Sequence, residues 1–295
     1  GIRDSVASRG LGDVYKRQPL ERIDCLVNLL RGYMEFPFTF ETNIYIDYGS
    51  QDDVEILETL LSEFSKLNIQ VKVASPGYEG WFLTWAHKTD LALAILNKKA
   101  DYYIYTENDM LMTYDNFKYY LKWKPVLAKY ELEPGFVRYE KKYNKKIPFD
   151  NYYRYSLTKE TPNVWSTQGY KVPNVLVVDH SVSFFVALAN PYYGAMILNQ
   201  EDGDYYIRSD SYDPQKSYEK VGIRNWPIAD RSSMGLAFEN PPFGFEHRRC
   251  VPVRKVKDHY EILPCGLICH DDDKYTKNLL CDPDLLICCE SMLTI

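Results

Sequence analysis

The sequence predicts an α/β fold built on a doubly wound sheet, and three strand-like runs with two helical patterns between them predict it. Asn43–Asp47 (NIYID), Ile69–Val73 (IQVKV) and Tyr102–Tyr105 (YYIY) are rich in the β-branched and aromatic residues that suit a pleated backbone. Val54–Leu67 places Ile56, Leu57, Leu60, Leu61 and Phe64 at helical spacing, and Phe82–Asn97 does the same with Leu83, Ala86, Leu91, Ala94 and Ile95. Strand, helix, strand, helix, strand over Asn43–Met112 implies a parallel sheet with ligands at the carboxyl ends of its strands. Asp47 and the triplet Glu107-Asn108-Asp109 both fall at such ends.

The first stretch, Gly1–Gln18 (GIRDSVASRGLGDVYKRQ), resembles adaptor read-through at the ends of assembled sequences. It is set aside from the fold, as a processing scar would be. The expectation is that the native N-terminus is missing, with any signal, anchor or first strand. Pro19–Met34 has helical spacing at Ile23, Leu26, Val27, Leu30 and Tyr33, with proline at its start. Tyr48–Asp53 and Pro76–Gly80 are turns by their Gly, Ser and Pro content. Beyond Asn116, Phe117–Tyr130 reads as a helix bent by Pro125. Gly135–Glu140, Val175–Val178, Val182–Ala187, Cys250–Val256 and Glu261–Leu263 read as strands, Asp202–Asp213 as polar turns, and Asp230–Phe238 as a helix. The charged, Tyr-rich stretch Lys141–Thr161 reads as an excursion, and the tail Leu279–Ile295 has no assignment. No internal repeat or low-complexity linker interrupts residues 19–278, so one continuous domain is expected there.

Composition excludes several classes. The 295 residues are 45% hydrophobic and 26% charged, ordinary for a globular chain. A net charge of -6 argues against broad electrostatic binding to nucleic acid or anionic membranes. No run of apolar residues is long enough to span a bilayer. Seven cysteines, at 25, 250, 265, 269, 281, 288 and 289, form neither a regular disulfide framework nor a CxxC zinc pattern, so reduced thiols are expected. His180 lies between Asp179 and Ser181, but no nucleophile-elbow glycines surround Ser181 or Ser183. No P-loop or GxGxxG is present, which removes kinases and dehydrogenases.

The chemistry concentrates in Asp101–Asp115 (DYYIYTENDMLMTYD), where a buried strand runs into two carboxylates. That is costly unless something positive sits there. Extended backbone would turn Glu107 and Asp109 to one side. Two oxygen-rich groups facing one way suit a hard divalent cation such as Mg²⁺ or Mn²⁺. A solvated polar loop after the strand is the plain alternative, and the residues alone leave both open.

The order of these features resembles a family. NIYIDYGSQDD followed by a helix is similar to the IVVDDGSxD segment of GT-A-fold nucleotide-sugar glycosyltransferases of the family-2-like, uncharacterised environmental and bacterial type. Asp47 matches the carboxylate that contacts the nucleoside there, while Tyr48 departs from the second acid. Glu107-Asn108-Asp109 looks like the D-x-D motif in an E-N-D variant, with Asp109 as the direct metal ligand and Glu107 in support. GFVRYE, WPIADRSSMGLAFENPPFGFEHRRCVPV and CHDDDKY add a second likeness, in which His270 matches a late histidine completing the metal shell. The resemblance spans roughly Glu21–Asn278. It implies a GT-A-like doubly wound mixed sheet flanked by helices, with a Rossmann-like nucleotide-sugar half at about 19–116 and an acceptor half at about 117–278. It implies a metal-dependent glycosyltransferase using Mn²⁺ or Mg²⁺, a nucleoside-diphosphate sugar as donor and a saccharide or other hydroxyl acceptor. A nucleotidyltransferase acting on a sugar phosphate, or a non-catalytic sugar- or partner-binding protein, remain alternatives. The location implied is the cytoplasm or a cytoplasmic membrane face, or the Golgi lumen if an anchor preceded the chain.

Each remaining candidate has a structural reading beside its functional one. Lys88, with His87, is a diphosphate contact or a solvated helix residue. Asp230 and Glu239 are candidate bases for an acceptor hydroxyl. Asp230 is preferred because Trp226-Pro227 precedes it; the alternatives are a helix cap for Asp230 and pairing with Arg248 or Arg249 for Glu239. His270 is a third ligand or a surface residue beside Asp271, Asp272 and Asp273. Arg138 and Glu140 are a buried pair or acceptor contacts, and of Trp81 and Trp85 one is expected in the core.

Overall fold

The structure is a computed structural model that describes residues 4–8, 23–46, 51–142, 145–148, 175–177, 184–188, 190–221, 226–256, 259–272 and 293–294. Asp47, the turn 48–50, residues 149–161 of the Lys141–Thr161 excursion, the triad candidates His180, Ser181 and Ser183, and residues 279–292 of the tail lie outside the described residues. The chain forms two compact units, each made of two stretches. Gly1–Tyr114 joins Gly194–Glu239, and Asp115–Tyr193 joins Asn240–Ile295.

The first unit carries the α/β sheet. Its elements are β1 (Asp4–Ser8), α1 (Ile23–Met34), β2 (Thr42–Ile46), α2 (Gln51–Leu60), β3 (Ile69–Val73), α3 (Lys88–Leu96) and β4 (Tyr102–Thr106). The strand order is Ala195–Asn199, β4, β1, β2, β3. β1 runs parallel to both β2 and β4, β2 parallel to β3, and Ala195–Asn199 antiparallel to β4, so the sheet is mixed. The chain moves outward from β1 to β3, then returns to place β4 on the other side of β1. That reversal makes the gap between β1 and β4 the topological switch point, where ligands bind in open α/β sheets.

The centre of this sheet differs from the expectation. Residues 1–18 are set aside in the sequence reading, yet Asp4–Ser8 pairs with Tyr102–Thr106 along its whole length and with Thr42–Ile44. The reason is backbone chemistry: β2 and β4 each present an edge of N–H and C=O groups that need partners once buried.

The helices follow their apolar spacing. α1 buries Leu26, Leu29, Leu30 and Tyr33 as one stripe, with Asp24 in its first turn and Arg31 in its last, matching the helix dipole. Burying each of its leucines stabilises the unit by about 1.5–3 kcal/mol. The helix expected over Val54–Leu67 is split: α2 ends at Leu60 and a 3₁₀ turn, Ser62–Leu67, stops at left-handed Asn68 (φ 44°). The helix expected over Phe82–Asn97 also divides, into a 3₁₀ turn at Gly80–Trp85 and α3. The division lets Trp85 enter the core and donate its Nε1–H to the Ile228 carbonyl at 2.8 Å, while Trp81 stays exposed. α3 packs Leu91 and Ile95 against Tyr103, Tyr105, Met196 and Leu198.

The return stretch also departs from its sequence reading. Gln200–Tyr206 is a helix rather than a turn, because the Asn199 side chain accepts the Asp202 N–H at 2.8 Å as an N-cap. Asp230–Phe238 is not a continuous helix. Only Ile228–Arg231 turns once, and the Ser232 and Ser233 hydroxyls donate back to the Ala229 and Asp230 carbonyls, which competes with helix propagation.

The second unit holds the helix Tyr114–Leu127 from its second residue, Asp115, onward, with Pro125 inside it, and two small sheets. In one, Val137–Lys142 pairs antiparallel with Lys145–Pro148 and parallel with Leu267–His270. In the other, Arg249–Val256 is flanked by Phe184–Ala187 and His259–Ile262, both antiparallel. Buried Arg249 joins this sheet to its surroundings through Glu133 at 3.2 Å and the face of Tyr193 at 4.2 Å. Among the described residues, Cys25, Cys250, Cys265 and Cys269 form no disulfide, and no helix is long and apolar enough to cross a membrane.

Removing Gly1–Ser8 would strip the strand between β2 and β4. The truncated chain is expected to lose its cooperative thermal transition in circular dichroism. An unchanged transition would show that the sheet closes without β1.

Candidate functional site

β4 delivers the acidic triplet to the carboxyl end of the sheet, beside the switch point. Its last residue, Thr106, shares a buried hydrogen bond with the Tyr33 hydroxyl of α1 at 3.0 Å, which pins the strand end to the helix behind it. Removal from water pushes the Tyr33 phenol well above its ordinary range, so it remains a neutral partner.

The triplet itself is a turn. The Met110 N–H donates to the Glu107 carbonyl at 3.1 Å, with Asn108 and Asp109 as the central residues. The side-by-side placement expected of Glu107 and Asp109 from extended backbone therefore does not apply. The strand ends at Thr106, and a turn rather than a pleat sets their directions. All three residues are buried, Glu107 at 7%, Asn108 at 3% and Asp109 at 4% exposure. The solvated-loop alternative is thereby removed.

Gly194 holds this turn from outside the sequence motif. Its carbonyl accepts the Glu107 N–H at 2.8 Å. Its φ is +63°, and a Cβ there would lie 2.7 Å from the Met110 side chain and 3.6 Å from the Glu107 carboxyl carbon. Only glycine meets both demands. In sequence, a lone glycine before the apolar run Ala195–Leu198 was the sole signal.

The other candidates of the first unit are tied into its interior. His87 is buried and stacks on Tyr105, the ring centroids 4.3 Å apart. Lys88 is not a solvated helix residue. Its Nζ donates to the Tyr206 hydroxyl and to the Ser232 carbonyl, and lies over the rings of Trp85 and Tyr206. Burial pulls its pKa well below the ordinary lysine value. The amine that the sequence reading offers to a diphosphate is thus engaged in joining α3 to the return stretch. Glu239 is similarly engaged: it accepts from the Ser211 N–H and hydroxyl and pairs with Lys220, not with Arg248 or Arg249. Burial alone would raise its pKa, but the bonds from Lys220 and Ser211 outweigh that and hold it below the usual range, which makes it a poor base. Asp230 lies inside the one-turn helix and is half-buried; the cap position belongs to Pro227.

In the second unit His270 is buried rather than on the surface, and its Nδ1 hydrogen-bonds the Glu140 carboxylate at 2.9 Å. Glu140 is fully buried. Neighbouring Arg138, read in the sequence as a buried pair with Glu140 or an acceptor contact, is buried and stacks its guanidinium over Tyr192 at 4.5 Å. Asp272 offers a carboxylate oxygen within 4.8 Å of a His270 ring nitrogen. Neither Glu140 nor Asp272 was given a metal-site role from sequence.

The donor types are those that suit a hard divalent cation: buried carboxylates in the first unit, and in the second a buried imidazole with a carboxylate beside it. By contrast, a cleft of about 320 Å³ in the first unit, lined by Thr42, Asn43, Gln70, Lys72, Asp90 and Lys99, lies at the amino ends of β2 and β3, the opposite end from the acidic turn.

No protein-family model matches the chain, and no curated protein does. Among solved structures, the chain is similar to HddC from Yersinia pseudotuberculosis complexed with GMP-PN, at 13% identity over 70% of this chain and 80% of that one, TM-score 0.33. It is similar to S. aureus TarS 1-349 at 12% identity over 69% of this chain and 49% of that one, TM-score 0.32. It is similar to mannose-1-phosphate geranyltransferase from Thermus thermophilus at 10% identity over 91% and 74%, TM-score 0.38. At TM-scores this low the likenesses say nothing of what this chain does.

Gly194→Ala should destabilise the protein by about 1–3 kcal/mol in urea unfolding, through the positive φ and the Met110 clash. An unchanged midpoint would mean the turn tolerates a Cβ. For Lys88 the sign follows from its depressed pKa. Between that value and the ordinary one the unfolded chain binds a proton that the folded chain lacks, so this contribution to stability rises with pH. The stability difference between wild type and Lys88→Met should therefore shift in favour of wild type from about pH 6 to about pH 10. A difference independent of pH would contradict the buried, depressed amine.

Proposed function

We propose that the protein is a metal-dependent glycosyltransferase that moves a sugar from a nucleoside-diphosphate sugar to an acceptor hydroxyl. The observation that carries this reading is the buried Glu107-Asn108-Asp109 turn at the carboxyl end of β4, beside the switch point of a doubly wound sheet. The order of motifs along the sequence supports it.

Under this reading Asp109 is the principal carboxylate ligand and Glu107 supports it directly or through water, while His270 is the second unit's candidate imidazole ligand. A divalent ion bound there would offset the negative charge that develops on the departing diphosphate. Asp47 would take the nucleoside, as the family resemblance implies. Asp230 is half-buried, whereas Glu239 is committed to Lys220 and Ser211, so Asp230 is the better placed of the two proposed bases to take the acceptor hydroxyl's proton. Glu239 then acts by tying its own chain segment back to Ser211 and Lys220. Burial of the acidic turn keeps water from competing for the transferred sugar.

A screen of nucleoside-diphosphate sugars with Mn²⁺ tests the reading. Asp109→Ala should abolish Mn²⁺-dependent binding of UDP or GDP, measured by calorimetry, and His270→Ala should weaken metal affinity less severely. Undiminished Mn²⁺-dependent binding in Asp109→Ala would overturn the assignment. Tight nucleotide binding with no turnover of any donor would instead support a binding protein of the same fold.

A further inference from the structure

We infer that Glu140 is a positioning residue for the metal site: it fixes His270 so that Nε2 is the ring nitrogen presented to the cation. The inference rests on the metal-dependent reading above and goes beyond it to a residue in no part of the motif.

The pairing follows from strand register. Leu267–His270 runs parallel to Val137–Lys142, with Leu267 opposite Val137, Ile268 opposite Arg138 and Cys269 opposite Tyr139. One further step along both strands sets His270 beside Glu140. The sheet thus dictates that the two meet, and the rigid strands hold them with little freedom.

The hydrogen bond then selects the nitrogen. A carboxylate oxygen can only accept, so His270 Nδ1 carries the hydrogen in the 2.9 Å contact. In a neutral ring the lone pair is then on Nε2, the form that ligates a metal. A histidine ligand whose other nitrogen donates to a carboxylate is the usual supporting arrangement at metal centres, where the partner fixes the ring and makes it a stronger donor.

Burial argues for the same role. Glu140 and His270 have side-chain exposures of 0% and 2%. Removing two ionisable groups from water is expensive, and an apolar pair at these strand positions would hold the sheet as well or better. Asp272, just beyond the strand, adds a carboxylate within 4.8 Å of the His270 ring. A cation accepting from the imidazole would relieve the concentration of negative charge around it.

The test is Mn²⁺ affinity by calorimetry on the full chain, for wild type, Glu140→Gln, Glu140→Ala, His270→Ala and the Glu140→Ala/His270→Ala double variant, with metal-free thermal unfolding recorded for each. Glu140→Ala should weaken Mn²⁺ binding by about 10- to 100-fold. Glu140→Gln, whose amide oxygen still accepts from Nδ1, should fold as wild type and lose less. In the His270→Ala background, Glu140→Ala should cost almost nothing further, because its effect passes through the imidazole. Wild-type affinity in both Glu140 variants, or an equal loss with and without His270, would overturn the inference while leaving the metal-dependent reading standing. Absence of Mn²⁺ binding by the wild-type protein would overturn both.

Discussion

A carboxylate taken out of water must be compensated, and the acidic turn after β4 is organised by that requirement. Glu107 and Asp109 are both more than nine-tenths buried. An uncompensated buried charge costs several kcal/mol even after relaxation. The backbone around the pair is accordingly held from several directions. Tyr33 fixes Thr106 from α1, the Gly194 carbonyl takes the Glu107 N–H, and Met110 closes the turn. Gly194 opens the antiparallel strand that extends the sheet beyond β4, so the mixed edge of the sheet and the acidic turn are one construction.

The remaining buried polar groups divide by what they are bonded to. Lys88 and Glu239 spend their polar ends on fixed partners within the first unit: Lys88 ties α3 to Ser232, and Glu239 ties the end of its own stretch to Ser211 and Lys220. Their worth is in breaking rather than making: loss of one partner strands the other in the interior. His270 differs. Its Nδ1 is engaged by a carboxylate, and a second acid lies close by. Under the proposed reading, a carboxylate at the adjacent strand position suits a ligand held in place by its neighbour.

Much of the first unit was legible in the sequence. Ile69–Val73 is a strand at the boundaries its composition indicates, and the strand predicted over Tyr102–Tyr105 runs one residue further, to Thr106, because β-branched and aromatic runs bounded by turns have few other uses. The helices were legible in position and illegible at their ends, since 3₁₀ turns at Ser62–Leu67 and Gly80–Trp85 keep the apolar spacing while changing the hydrogen bonding. Candidate residues were harder. Residue type marked Asp109 and His270 as potential ligands, but the neighbours Gly194 and Glu140 come from distant parts of the chain, and only folding reveals them. Local reasoning misjudged Glu107 and Asp109 in direction, because it carried the extended backbone past the true strand end at Thr106. It also left Lys88 a choice between ligand and solvent, where the structure shows a third use, among two aromatic rings.

The central claim is that the acidic turn holds a divalent cation for a nucleotide-sugar donor. Anomalous diffraction from crystals grown with Mn²⁺ and a nucleoside diphosphate addresses it most directly. The account predicts an anomalous peak about 2.1–2.3 Å from an Asp109 carboxylate oxygen, with diphosphate oxygens completing the shell. A bound nucleotide with its Mn²⁺ peak away from Asp109, or with none, would contradict it.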